Sequence, residues 1–133
     1  MNIKLIRTFV PSMDFDTSIK FYKELGFKVL WKGEDLCEIG TVESNFFIQD
    51  YYVEEYANNF MMQLFVDDLD KLYNRAIKVI ENFEGTKVQP IFETEYGRTF
   101  HLIDPTGVLW HMSESIKKGG NKAELLCDDN KKN

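Results

Sequence analysis

The chain holds two histidines, His101 and His111, one in each of its last two strand-like stretches. Imidazole is the side chain best placed to titrate near neutrality, to act as a general acid or base, or to ligate a metal. Asp104-Pro105-Thr106-Gly107 lies between these stretches, and Pro and Gly supply the backbone angles of a tight turn. A turn centred on Pro105-Thr106 sets His101 opposite Trp110 and His111 opposite Phe100, which places the two imidazoles on opposite faces. A shift of one residue would bring them together. His111 is then the better functional candidate, and His101 reads as a hydrogen-bonded sheet histidine. The carboxylate pairs Asp14/Asp16 and Asp67/Asp68 invite acid-base chemistry, but each precedes a helical pattern and is expected to cap backbone N–H groups. Glu93, Glu95 and Glu114 are freer to form an acidic rim. No Ser-His-Asp order, phosphate loop or dinucleotide motif is present.

The elements that must carry these residues follow from periodicity. Ile3 to Val10 reads as a strand, after which Phe15, Ile19, Tyr22 and Leu25 recur at helical spacing up to Gly26. Strands are expected over Phe27 to Lys32, Leu36 to Thr41 and Asn45 to Tyr51. The order then recurs: a strand from Phe60 to Val66, a helix with the stripe Leu69, Leu72, Tyr73, Ala76, Ile77 and Ile80, and strands over Lys87 to Phe92, Thr99 to Ile103 and Val108 to Ser113. Asp14-Phe15-Asp16 and Asp68-Leu69-Asp70 open the two helices 54 positions apart, and the apolar stripes match at that offset. The chain reads as a tandem duplication, an α+β fold of two βαβββ modules (1–52 and 60–116) with a polar tail over 117–133. Two such sheets side by side leave a concave trough, the natural place for a ligand.

The 133 residues are 44% hydrophobic and 29% charged, the balance of a folded domain with its own core. A formal charge of −6 leaves no broad basic surface for a phosphate backbone, so nucleic acid is an unexpected partner. No apolar run approaches the roughly 20 residues of a membrane-spanning helix, and the charges in the first seven residues do not fit a signal peptide. Cys37 and Cys127 form no CxxC pair. A soluble, cytoplasmic, reduced setting is expected. The tail, with five lysines against Glu124, Asp128 and Asp129 and a Gly119-Gly120 hinge, is expected to extend from the body.

The segment Asp14-Phe15-Asp16-Thr17-Ser18-Ile19-Lys20-Phe21-Tyr22-Lys23-Glu24-Leu25-Gly26-Phe27, the Asp104-Pro105-Thr106-Gly107 hairpin and the paired modules resemble the vicinal oxygen chelate superfamily of glyoxalases, bleomycin-resistance proteins and extradiol dioxygenases. The resemblance covers about residues 3 to 114 and implies a homodimer whose trough, or a crevice shared between subunits, holds the ligand. Enzymes of that superfamily hold one divalent metal through four side chains on the first and last strands of each module. Alignment on the helix motif and the hairpin puts Arg7, Gln49, Met61 and His111 at those places. Arg7 and Met61 are again 54 apart. Arginine has no lone pair to donate, methionine is a soft thioether and glutamine offers an amide oxygen, so His111 alone is a competent ligand and no metal or other cofactor is expected.

Alternation along Phe46-Phe47-Ile48-Gln49 sends some aromatics into the trough, where Phe47, Phe65 and Trp31 would stack on a planar ligand. Arg7, Gln49 and His111 would orient its polar groups, with Met61 beside them. The reading is a small-molecule-binding protein akin to the bleomycin-resistance branch, sequestering an aromatic or cationic compound without turnover. The alternatives are a metal-dependent glyoxalase-like lyase or isomerase or a dioxygenase, and a metal-independent epimerase or isomerase with His111 as base and Arg7 stabilising an enolate.

Overall fold

The computed structural model describes residues 1–115, so the expected tail over 117–133 lies outside the described residues. The first module runs β1 (Phe9–Pro11), α1 (Phe15–Leu25), β2 (Lys28–Lys32), β3 (Leu36–Gly40) and β4 (Asn45–Gln49). A short helix α2 (Glu54–Ala57) leads to the second: β5 (Met61–Phe65), α3 (Leu69–Val79), β6 (Lys87–Val88), β7 (Phe92–Thr94), β8 (Gly97–Ile103) and β9 (Leu109–Ser115). The strand orders are β1-β4-β3-β2 and β5-β9-β8-β6, with β7 also paired to β8. In each sheet the first strand runs parallel to the last, as two copies of one unit require.

The helices show the duplication most directly. Both α1 and α3 have 11 residues, and both ends of α3 lie 54 positions beyond those of α1. Asp14 accepts from Thr17 N and Asp68 from Lys71 N, each at 3.1 Å, so each carboxylate caps orphan donors of a first turn. This is the capping role expected for those aspartates.

Three sequence expectations change. The strand read over Ile3 to Val10 is confined to Phe9–Pro11; Ile3, Leu5 and Ile6 are exposed, and the ladder extends back only to the Thr8 carbonyl, which accepts from Phe47 N. The single strand read over Lys87 to Phe92 is two, β6 and β7, because Pro90 has no N–H to continue the ladder beyond Gln89 N→His101 O. Helix α2 lies in a segment whose apolar residues show no helical stripe, which left it unread.

Alternation gives each sheet a core face and an open face. Val10, Cys37, Ile39, Phe46 and Ile48 on the first sheet and Phe100, Leu102, Trp110 and Met112 on the second are buried in one continuous core with Phe21, Tyr22 and Leu69 from the helices. Tyr22 joins the modules: its hydroxyl donates to Asp104 Oδ2 at 2.5 Å and accepts from Trp110 Nε1 at 2.8 Å. Asp104 Oδ1 accepts in turn from the N–H groups of Thr106, Gly107 and Val108 at 2.8–2.9 Å. Burial and the Asp104 carboxylate hold the Tyr22 hydroxyl protonated far above its ordinary range, and burial raises Asp104 against the pull of its donors.

Candidate functional site

The Asp104 turn also decides where the histidines point. Asp104 N donates to the Val108 carbonyl, so the chain reverses through Pro105, Thr106 and Gly107, with Gly107 at φ +109°. This loop is one residue longer than a turn centred on Pro105-Thr106, and the register moves by one: His101 faces His111 and Leu102 faces Trp110. The expected separation of the histidines onto opposite faces is therefore corrected. Their ring centroids lie 4.8 Å apart, edge to face at 88°, on the open face of the second sheet. Burial and the neighbouring His111 push the His101 imidazole below its ordinary pKa.

A cavity of about 540 Å³ covers this face. His111 has Gln63 beside it on β5, and in the next row Phe65, Ser113, Thr99 and Phe92 follow across four strands. The Thr99 and Ser113 hydroxyls share a hydrogen bond of 3.0 Å, and Phe92 lies edge-on to His101 at 5.3 Å. Of the expected rim, Glu95 and Glu114 line the cavity while Glu93 stays exposed on β7. Glu114 is already engaged, by Arg98 at 3.2 Å and by Leu69 N at the start of α3.

The open face of the first sheet carries Phe9, Glu38, Phe47 and Gln49. Arg7 lies with its guanidinium 4.7 Å from the Phe47 ring centre and Nη1 2.6 Å from Glu38 Oε2. That contact is an ion pair without hydrogen-bond alignment, and Nε has no acceptor. A second cavity, about 650 Å³, is lined by Phe9, Gln49, Tyr51, Tyr56 and Phe60 among others.

The seven residues singled out from sequence thus fall into two sets. Phe47, Gln49 and Trp31 belong to the first sheet, with Trp31 53% exposed beyond a bulge in β2 and packed over Gly33, and Arg7, ahead of β1, lies against its open face. Met61, Phe65 and His111 belong to the open face of the second, where Phe65 and His111 line the 540 Å³ cavity and Met61 is 62% exposed. Sequence reasoning missed His101, Gln63 and Phe92 here and Phe9, Tyr56 and Phe60 in the other cavity. Period-two alternation counted outward from the helix-facing residues would have found Gln63. His101 needed the turn length.

The donor set does not fit the superfamily's four-ligand metal. Arg7 is a cation held by Glu38, Gln49 and Met61 offer an amide and a thioether, and among the described residues no three His, Cys, Asp or Glu side chains converge. Among the described residues no helix is long and apolar enough to cross a membrane.

The fold is that of several solved structures. The bleomycin-binding protein from bleomycin-producing Streptomyces verticillus, in complex with copper(II)-bleomycin, is similar with a TM-score of 0.70 at 20% identity, over 86% of this chain and 100% of that one. A bleomycin resistance determinant encoded on the transposon Tn5 gives 0.70 at 21% identity, over 85% and 98%. An antibiotic-binding protein from Streptomyces sp. CB03234 gives 0.72 at 19% identity, over 87% and 99%. No curated protein sequence matches the chain. The model of one sequence family matches residues 4–112, which takes in both modules, both helices and the Asp104 hairpin, and the chain therefore belongs to the Glyoxalase/Bleomycin resistance protein/Dioxygenase superfamily.

Proposed function

We propose that this protein binds a small planar molecule, aromatic or cationic, on the open faces of its sheets and sequesters it without turnover, acting as a homodimer and without the superfamily's four-ligand metal. The observation that carries this reading is the state of Arg7. Arg7, which the resemblance aligns with a metal-ligand position of the enzymes, is a cation paired with Glu38 and stacked on Phe47, an arrangement suited to orient a ligand's polar edge beside an aromatic surface. Exposed aromatic rings on both faces, Phe9, Trp31, Phe65 and Phe92, provide stacking area. The antibiotic-binding relatives on the same fold are consistent with it. The acidic composition favours a cation.

Half-exposed Trp31 is the reporter, since Trp110 is buried in the core. Titration with bleomycin and with planar aromatic amines should quench its fluorescence to saturation. Phe47→Ala should weaken binding about tenfold, the effect of losing about 1.4 kcal/mol of stacking and burial. Absence of saturable quenching by any of these compounds, together with unchanged behaviour of the Phe47 variant, would sink the reading.

A further inference from the structure

We propose that the 650 Å³ cavity beside α2 binds a quaternary ammonium ion, a cation whose charge is sheathed in methyl or methylene groups. The cavity shares Phe9 and Gln49 with the open face of the first sheet, but its remaining walls come largely from the linker between the repeats. The inference therefore goes beyond the sequestration of a planar ligand on the open faces and does not rest on it.

The linker supplies aromatic walls, and contacts with the core fix them. Tyr51 follows β4, Tyr56 stands on α2 and Phe60 precedes β5, so that with Phe9 of β1 they bring four rings to one cavity. Ala57 is fully buried, which anchors α2 and leaves Glu55 and Tyr56 exposed beside it. Ser12 N donates to the Tyr51 carbonyl at 3.1 Å and Asn59 Nδ2 to the Glu55 carbonyl at 2.7 Å, so the backbone is held on both sides of the helix. Phe9 packs against Phe47 with ring centres 5.0 Å apart, while among the described residues Tyr51 and Tyr56 stack on no other ring. Their surfaces are left for a ligand.

Charge selects the occupant. From Gly33 to Asp70 the sequence has no Lys, Arg or His, while carboxylates recur, with Asp50, Glu54 and Glu55 in the linker. Glu55 lines the cavity and, among the described residues, is in no ion pair. Arg7 is paired with Glu38 ahead of β1, whereas the cavity lies at the other end of that strand, by Pro11 and Gln49. The negative faces of aromatic rings attract a cation, and a carboxylate at the rim adds a full charge. A primary ammonium leaving water needs an acceptor for each N–H, but a quaternary one has none to satisfy and packs its methyl groups on ring carbon. Most of this wall is aromatic or aliphatic, which suits the second.

The test uses the tag-free full chain, with choline chloride as the probe and 3,3-dimethylbutan-1-ol, the same shape with carbon in place of the charged nitrogen, as its neutral match. Calorimetry is expected to show one choline per chain and binding of the alcohol weaker by about tenfold or more. Tyr56→Ala, at an exposed position, should weaken choline about tenfold, Tyr56→Phe should retain it, and Glu55→Gln should weaken it several-fold. Saturating choline should leave the quenching of Trp31 by planar compounds in place. Equal binding of choline and the alcohol, or equal affinity of the natural chain and Tyr56→Ala, overturns the cation site. Abolished Trp31 quenching overturns its separation from the open-face site. Absence of choline binding, with Tyr56→Ala moving the chain toward the monomer, overturns it in favour of a second copy as the occupant. Because probe and readout differ, failure here leaves the quenching experiment above untouched.

Discussion

A single oxygen, the Tyr22 hydroxyl on α1 of the first module, meets two groups of the final hairpin of the second. It donates to Asp104 and accepts from Trp110, and all three side chains are buried. Tyr22→Phe keeps the ring packing but leaves a buried carboxylate oxygen and an indole N–H without their partner. A loss of about 1–3 kcal/mol is expected in urea denaturation. Asp104→Ala should cost more, because three backbone donors of the turn lose their acceptor as well. His101 gives a pH dependence whose sign follows from its lowered pKa. The unfolded chain binds the proton more tightly than the folded one, so acidification below the free imidazole value of about 6.5 favours unfolding until the folded pKa is passed. Thermal midpoints should therefore fall as pH drops through 6.5, and His101→Gln should flatten that part of the profile. Glu95 and Glu114 line the same cavity.

Capped helices of equal length make the duplication measurable at the scale of elements. Asp14→Ala and Asp68→Ala remove the same interaction from α1 and α3, and each should cost about 1 kcal/mol in denaturant unfolding. Unequal losses would show that the repeats have diverged in how much each helix end contributes. The same elements explain what could be read from the chain. Both helices and most strands were legible because an apolar stripe or an alternation marks them directly, as in Phe15, Ile19, Tyr22 and Leu25 or in Phe46-Phe47-Ile48-Gln49. The register of β8 and β9 was not, because it depends on whether Asp104 folds its carboxylate back over the turn. That is a choice between loops differing by one residue, and it moved His101 onto the face of His111. Residues 1–8 misled for another reason: Ile3, Leu5 and Ile6 have a strand's composition but lie exposed and ahead of β1. In the candidate site, the open-face positions of Phe47 and Gln49 were legible from alternation; the partnership of Arg7 with Glu38 was not, since it joins a residue ahead of β1 to one on β3, 31 positions apart.

For the molecule as a whole, the open faces frame the expectation about assembly. Phe9, Trp31, Met61, Phe65 and Phe92 are all more than 40% exposed, an amount of apolar surface that a second copy would cover. Sedimentation equilibrium is expected to return twice the 15.6 kDa chain mass, and Phe65→Lys should shift the protein toward the monomer if that face is the one covered. The tie between the repeats bears on synthesis too. Tyr22 meets Asp104 only after 82 further residues have been added, so during synthesis the first repeat waits for the partners that cover the apolar side it shares with the second. Until the final hairpin emerges that apolar surface is open to non-native contacts, and a pause in translation between the two repeats prolongs the exposure.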